Sequence, residues 1–208
     1  GYRFYRWQLD GKAYDFSSKV VKDITLVALW VKSYTTTFSF NANGGVGTIS
    51  DVTANSGETL TIPGNSFTRS GYEFIGWNTS SDGTGTPYEV GQTITAATDK
   101  TEEITLYAIW NIEEYAISYD LNGGKVTNNP INYNVETDAF TLNNPIREGY
   151  EFAGWTGSNG DVPQTSVTIE KGTIGNKTYT ASWKKAKIKY TVKFNTNGGS
   201  SIEDVLVE

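Results

Sequence analysis

Carboxylates offer this chain its widest scope for chemistry, since 23 of its 208 residues are Asp or Glu while His and Cys are both absent. Paired carboxylates can act as general acid and base or bind Ca²⁺. The pairs Glu102/Glu103 and Glu113/Glu114 and the single Asp82 lie in solvent-like segments, and no Asp-x-Asp-x-Asp-Gly loop occurs. We therefore expect no catalytic residues, no metal site and no cofactor, and predict that the protein is not an enzyme.

Composition excludes several other functional classes. Without Cys there can be neither a disulfide framework nor a thiolate metal site, and without His the usual general base is missing. The glycine-rich stretches 43–47 and 81–85 lack the Lys and Ser/Thr of a phosphate-binding loop, so we interpret them as turns. A net charge of −6 argues against nucleic acid as a partner. No apolar run approaches the roughly 20 residues of a membrane span, so none is expected in this segment.

The elements that hold any site must come from an internal repeat, which is marked by the six tryptophans. These fall into three pairs: Trp7/Trp30, Trp77/Trp110 and Trp155/Trp183. The first Trp of each pair ends a Gly-Tyr-x-Phe motif, and the second ends a strand-like run such as Ile104-Thr105-Leu106-Tyr107-Ala108-Ile109-Trp110. A third marker, Asn-Gly-Gly, begins at Asn43, Asn122 and Asn197. The markers return in the same order, which defines a repeated module.

The order of the markers predicts the domain boundaries. We expect complete modules at residues 31–110 and 111–183, with the C-terminal half of a module at residues 1–30 and the N-terminal half of another at residues 184–208. Such small units need large buried side chains. The side chains expected in their cores are Trp77, Trp110, Trp155, Trp183, Phe74 and Phe152.

Alternating apolar and polar residues predict strands at the start of each module, with one face in the core. Tyr72 and Phe74 share a strand face opposite to that of Trp77, so either both faces are covered or a bulge at Gly76 redirects the indole. Residues 14–21 have the spacing of a short helical turn, with Asp15 or Ser17 as its cap. Tyr2, Tyr5, Tyr88 and Tyr133 are not needed by a core face; of these, Tyr88 and Tyr133 are the candidate ligand-facing aromatics.

These motifs resemble those of the Listeria-Bacteroides repeat family, also called internalin-type B repeats. The resemblance rests on residues 40–45, 69–77 and 104–110, and again on 119–124, 147–155 and 178–183. It implies tandem β-grasp, ubiquitin-like modules, mainly β or α+β, each a small mixed sheet with at most one short helix. It also implies a secreted or cell-wall-attached bacterial protein in which the repeats act as stalk, spacer or adhesive. The departures are Arg6 for Gly, Lys177 for Ile, and a long insert before Ile104.

The two half-modules leave two interpretations open. The sequence can be an arbitrary piece of a longer array, or the C-terminal half of one chain can complete the N-terminal half of the next and so build a head-to-tail filament. The expected partners are therefore further copies or neighbouring repeats of the same protein. The alternative function is binding of a host or cell-surface glycan or protein through exposed aromatics.

Overall fold

The computed structural model describes residues 1–187 and 189–207, and within those residues it is all-β with no helix. This confirms the mainly-β expectation. It contradicts the helical turn expected at residues 14–21. There the Asp15 carboxylate accepts hydrogen bonds from the Ser17 backbone N–H and hydroxyl, and the Ser18 N–H bonds to the Asp15 carbonyl. The Asp15 side chain thus stabilises a local turn, and this turn forms instead of a helix.

The contacts divide the chain into two units, Gly1–Asn111 and Ile112–Glu208. The first unit begins with a three-stranded antiparallel sheet, here called the N-terminal sheet, in the order β2-β1-β3. Its strands are β1 (Tyr2–Leu9), β2 (Lys12–Ala13) and β3 (Val27–Lys32).

The rest of the first unit is the first module, a five-stranded sheet with a small second pair of strands beside it. Its strands are β4 (Thr35–Asn41), β5 (Val52–Asn55), β6 (Thr59–Thr61), β7 (Tyr72–Asn78), β8 (Pro87–Tyr88), β9 (Thr93–Thr95) and β10 (Glu102–Ile112). The sheet order is β5-β4-β10-β7-β8, and β6 pairs with β9. Strands β4 and β10 run parallel at the centre, while β4–β5 and β7–β8 are antiparallel hairpins.

The second unit repeats this plan in the second module. Its strands are β11 (Tyr115–Asp120), β12 (Asn132–Tyr133), β13 (Phe140–Thr141), β14 (Tyr150–Gly157), β15 (Gly160–Gln164), β16 (Thr168–Ile169) and β17 (Lys177–Lys185). The sheet order β12-β11-β17-β14-β15 matches that of the first module, again with a parallel central pair. Two further strands, β18 (Tyr190–Val192) and β19 (Val205–Val207), form the C-terminal hairpin.

Each complete module has its own core on one face of its sheet. In the first module Phe38 and Leu106 are fully buried from the central parallel pair, and Leu60 and Ile62 cover them from the β6 side. The buried Thr36 hydroxyl accepts a hydrogen bond from the Ala97 N–H, so its polarity is satisfied. Alternation along each strand thus separates a packed face from a solvated one.

Candidate functional site

A glycine bulge places the first Trp of each complete module in the core. In the second module the β14–β17 register shifts between Phe152 and Gly154, and Gly154 has a φ of 137°. Gly76 has a φ of 152° at the matching position. Trp77 and Trp155 are consequently 1% and 0% exposed, which confirms the bulge alternative. In the N-terminal sheet the same shift occurs between Phe4 and Arg6, so the bulge forms there without glycine.

The second Trp of each module is held by the Asn-Gly-Gly turn. The Trp110 indole N–H donates to the Ala42 carbonyl at 2.9 Å, and the Trp183 indole to the Leu121 carbonyl at 3.1 Å. The Asn43 side chain crosses from the turn to donate to the Ala108 carbonyl, as Asn122 does to that of Ala181. A Trp on the last strand and a turn after the first strand are therefore locked together, an arrangement that we call the latch.

The last glycine of the turn is required by the indole rather than by backbone conformation. Gly45 does not have positive φ, yet a Cβ there would lie 2.8 Å from Trp110 Cζ2 and 2.9 Å from the Thr68 carbonyl oxygen. The preceding residues Asn43 and Gly44 do have positive φ, at 47° and 87°, so they form the turn itself. The sequence predicted the turn but not the latch. The available signal was the second glycine of Asn-Gly-Gly, because a tight turn requires only the first.

The aromatic residues of the Gly-Tyr-x-Phe motif connect the two Trp rings. Phe74 lies 5.0 Å from Trp77 and 5.9 Å from Trp110 between ring centroids, and both contacts are edge-to-face. Phe152 repeats this geometry against Trp155 and Trp183. Phe74, Phe152, Trp110 and Trp183 are each partly buried and packed against their cores. Each complete module therefore carries one continuous aromatic cluster from the core to the latch.

An Arg two residues before each Gly-Tyr-x-Phe motif of the complete modules packs against the outer side of the turn. The Arg69 guanidinium carbon lies 3.8 Å from the Tyr72 ring centroid, and that of Arg147 lies 3.9 Å from the Tyr150 centroid. The same guanidinium groups pack beside Gly44 and Gly123. Cation–π stacking of this Arg on the Tyr of the motif, together with its packing beside the turn, thus connects the motif to the Asn-Gly-Gly turn.

The N-terminal sheet has the same aromatic residues but lacks the cover that the complete modules provide. Phe4 lies 5.4 Å from Trp7 and 5.8 Å from Trp30, as in the modules. Yet Trp7 is 41% exposed and Trp30 is 57% exposed. Strand β3 lies at the edge of this sheet, in the place that corresponds to the central strand β10. The N-terminal sheet therefore presents both an open apolar face and an open strand edge.

The C-terminal hairpin carries the motif that opens each complete module. By the motif, Val192 and Phe194 correspond to Phe38 and Phe40 of the first module. Val192 is 42% exposed and Phe194 is 45% exposed, whereas Phe38 is fully buried. The described parts of the chain thus contain an uncovered aromatic sheet and an uncovered two-stranded hairpin.

The two candidate ligand-facing tyrosines lie in different environments. Tyr133 is 3% exposed, and its hydroxyl donates to the Gly175 carbonyl, so it is a core residue and the expectation that it faces a ligand is wrong. Tyr88 is partly buried, with its ring 5.4 Å from Phe38. One side of Tyr88 lines a shallow groove of about 270 Å³ together with Ile75, Pro87 and Ile109.

The acidic groups do not converge on a site in the described part of the chain, where no cluster of three metal-binding side chains is found. Asp82 is nevertheless well organised. Hydrogen bonds from the Ser80 and Thr84 hydroxyls and from the Thr84 N–H lower the pKa of its carboxyl to about 2. These bonds close the loop that follows β7. The described residues also include no helix long and apolar enough to cross a membrane.

Comparisons with known proteins match this repeat organisation. The sequence model of the family described as the Listeria-Bacteroides repeat domain matches residues 1–29, 36–109 and 115–182. A protein of Evansella cellulosilytica whose name describes a Gly-rich membrane protein is 32% identical; the match covers 100% of this chain and 25% of that protein. Internalin H of Listeria monocytogenes is 29% identical, with 82% of this chain and 27% of that protein covered. The chain spans about a quarter of the length of these relatives.

Proposed function

Since this chain belongs to the Listeria-Bacteroides repeat family, we propose that it is a non-enzymatic, extracellular repeat region of a secreted or cell-wall-attached bacterial surface protein. Its role is that of a stalk, a spacer or an adhesive, and it self-assembles head to tail by completing open modules between chains. The names of the relatives, a membrane protein and an internalin, support a cell-surface location. The separate cores of the two complete modules support a structural role.

We further propose that each complete module is a β-grasp. The support is the strand order: the last long strand of each module lies between two antiparallel hairpins, and it pairs in parallel with the first strand, β10 with β4 and β17 with β11. In place of a helix, the β6–β9 and β13–β16 pairs contribute the residues that cover the core face, including Leu60 and Ile169.

One observation carries the self-assembly part of the proposal. Trp7 is 41% exposed, whereas its counterparts Trp77 and Trp155 are 1% and 0% exposed. An exposed cluster of Phe4, Trp7 and Trp30 beside an unpaired strand edge favours the addition of strands from a partner. Because the surface that accepts the strands differs from the one that donates them, the contact does not close and can propagate.

Sedimentation velocity over a wide concentration range tests self-assembly, and electron microscopy shows its form. We expect association that grows with concentration and produces linear particles. A single monomeric species at all concentrations would contradict assembly while leaving the stalk or spacer role in place. Folded, monomeric arrays with no binding partner would still suit a spacer.

Glycan or receptor binding is the second candidate, and the groove beside Tyr88 favours it. The second module has Gln164 at the register position of Tyr88, so the two complete modules differ there. Ile75, at 61% exposure, can be changed without opening the core. A glycan array should show binding that Ile75→Lys abolishes and that Gln164→Ala leaves intact. An array without any signal from the unaltered chain would remove the glycan form of this candidate.

A further inference from the structure

The groove beside Tyr88 has aliphatic walls that the second module does not reproduce. Ile75 and Ile109 line it from strands β7 and β10, and Ile75 is 61% exposed to solvent. Counted from the paired tryptophans, the same two positions in the second module are Ala153 and Ser182. The two modules share one fold, so the fold does not require this aliphatic surface.

The floor of the groove is accessible because the β7–β8 hairpin is wider at the bulge than its counterpart. A Cβ on Gly76 would have only the Tyr88 carbonyl oxygen within 4 Å, at 3.8 Å. A Cβ on the matching Gly154 would lie 2.5 Å from the Gln164 backbone nitrogen. Tyr88 and Gln164 hold the same register position, opposite the first Trp of each module. Strand β15 therefore covers the bulge in the second module, whereas β8 leaves a flat stretch of backbone within the groove.

A carboxylate stands at the rim of the groove. Glu89 is exposed and lines the groove beside Tyr88. Its N–H donates to the Gln92 side-chain oxygen at 3.0 Å, and its carbonyl accepts from the Gln92 N–H at 3.2 Å, so the turn after β8 fixes its backbone. Among the residues that the structure describes, neither a donor nor a cation is found for the Glu89 carboxylate. The second module has Thr165 at this position.

The groove offers negative charge but few free hydrogen-bonding side chains. Residues 34–111 contain eight acidic and two basic residues, and neither basic residue lines the groove. The buried Asn78 amide, which also lines it, is already satisfied: its Nδ2 donates to two carbonyls of the loop after β7, and its Oδ1 accepts from the Ser80 N–H. A ligand is therefore held by apolar contact and by charge rather than by a network of neutral hydrogen bonds.

We propose that the groove binds one amino sugar ring with a free, protonated amine, such as a glucosamine unit of a polysaccharide. The apolar C–H face of the ring packs on Ile75 and Ile109, and its ammonium group pairs with the Glu89 carboxylate. The volume of about 270 Å³ is just below the range of sites for drug-sized ligands, which limits the groove to a single ring. The flat floor at Gly76 suits a ring better than a narrow alkyl chain. An amino sugar is one class of glycan, so this inference rests on the glycan-binding function proposed above.

A matched pair of oligosaccharides tests the charge requirement. A β-linked glucosamine oligomer and its fully N-acetylated form have the same rings and linkage, but only the first is positively charged. Both are titrated into the full chain at about pH 6, where amines are protonated and carboxylates are ionised. The glucosamine oligomer should shift the NMR signals of the Ile75 and Ile109 methyl groups, and the acetylated oligomer should leave them unchanged.

Three surface variants separate apolar contact from charge. Ile75→Ala introduces the residue that the second module has there, and loss of the aliphatic wall should weaken binding about tenfold. Glu89→Gln should weaken it about threefold to fivefold, the effect of losing an exposed ion pair. Glu103→Gln is the matched control, because it removes the same charge from an exposed position of the same module outside the groove. It should bind like the unaltered chain.

The outcomes separate the amino sugar from glycan binding in general. If the acetylated oligomer binds as tightly, or Glu89→Gln binds like the unaltered chain, the amino sugar is wrong while glycan binding stands. If no oligosaccharide of a broad array binds the unaltered chain, glycan binding fails and the amino sugar fails with it. If a lysine tripeptide displaces the glucosamine oligomer at lower concentration and loses affinity in the same variants, the occupant is a basic protein side chain and the inference is overturned.

Discussion

Replacing Gly45 with Ala should destabilise the first module although the change adds only one methyl group. The new Cβ would lie 2.8 Å from Trp110 Cζ2, 2.9 Å from the Thr68 carbonyl oxygen and 3.2 Å from that of Ala42. Two of these neighbours are backbone atoms, which cannot move away without disturbing the turn. Overpacking of this kind costs about 1–3 kcal/mol.

For a module of this size, about 2 kcal/mol corresponds to a drop of roughly 8–16 °C in melting temperature. Differential scanning calorimetry of the full chain at low concentration measures it, with the transition of the second module as an internal reference. Gly124→Ala should instead lower the transition of the second module, because its Cβ would meet Trp183. Gly199→Ala should leave both transitions in place. Equal effects at Gly45 and Gly199 would refute the claim that the indole, rather than the turn, demands this glycine.

Three further predictions concern the module cores and the titrating groups. Trp155→Ala should cost about 3–5 kcal/mol and unfold the second module alone, which calorimetry would show as the loss of one transition. Burial, followed by the charge of Tyr179, raises the pKa of Tyr119 to about 12. Because the folded pKa lies above the unfolded one, the protonated Tyr119 hydroxyl stabilises the second module fully below pH 10, and this stabilisation is lost as pH rises through 12. In the first module Phe40 occupies the corresponding position. Alkaline unfolding, followed by tyrosinate absorbance, should therefore affect the second module before the first. The lowered pKa of Asp82 gives the loop after β7 stability that is complete above about pH 4 and lost as pH falls through 2; an NMR titration midpoint near 3.8 would contradict it.

Much of this architecture could be predicted because rare residues recur in fixed order. The spacing of Trp, Asn-Gly-Gly and Gly-Tyr-x-Phe defined the repeat, and alternation identified strands such as β4 and β11. The conflict between Phe74 and Trp77 on opposite strand faces left two alternatives, covering of both faces or a bulge at Gly76, and the structure has the bulge.

The features that the sequence did not reveal depend on contacts between residues far apart in the chain. The Asn43 side-chain amide donates a hydrogen bond to the Ala108 carbonyl across the parallel strands, and no pattern in the local sequence predicts that partner. Tyr133 lies in a polar stretch, yet pairing of β12 with β11 buries its ring against Tyr115. At residues 14–21 the spacing suited a helix, but Asp15 formed a local turn instead. Periodicity predicts the structure of one element at a time, whereas these features depend on contacts between elements.

Amide hydrogen exchange at residues 24–26, measured as a function of protein concentration, tests the central claim most directly. These residues lie outside strand β3, while their counterparts in β10 are paired with β4. If a strand from another chain completes the N-terminal sheet, as the proposed self-assembly requires, the protection of these amides should rise with concentration. Protection that is the same at every concentration would contradict self-assembly through this sheet.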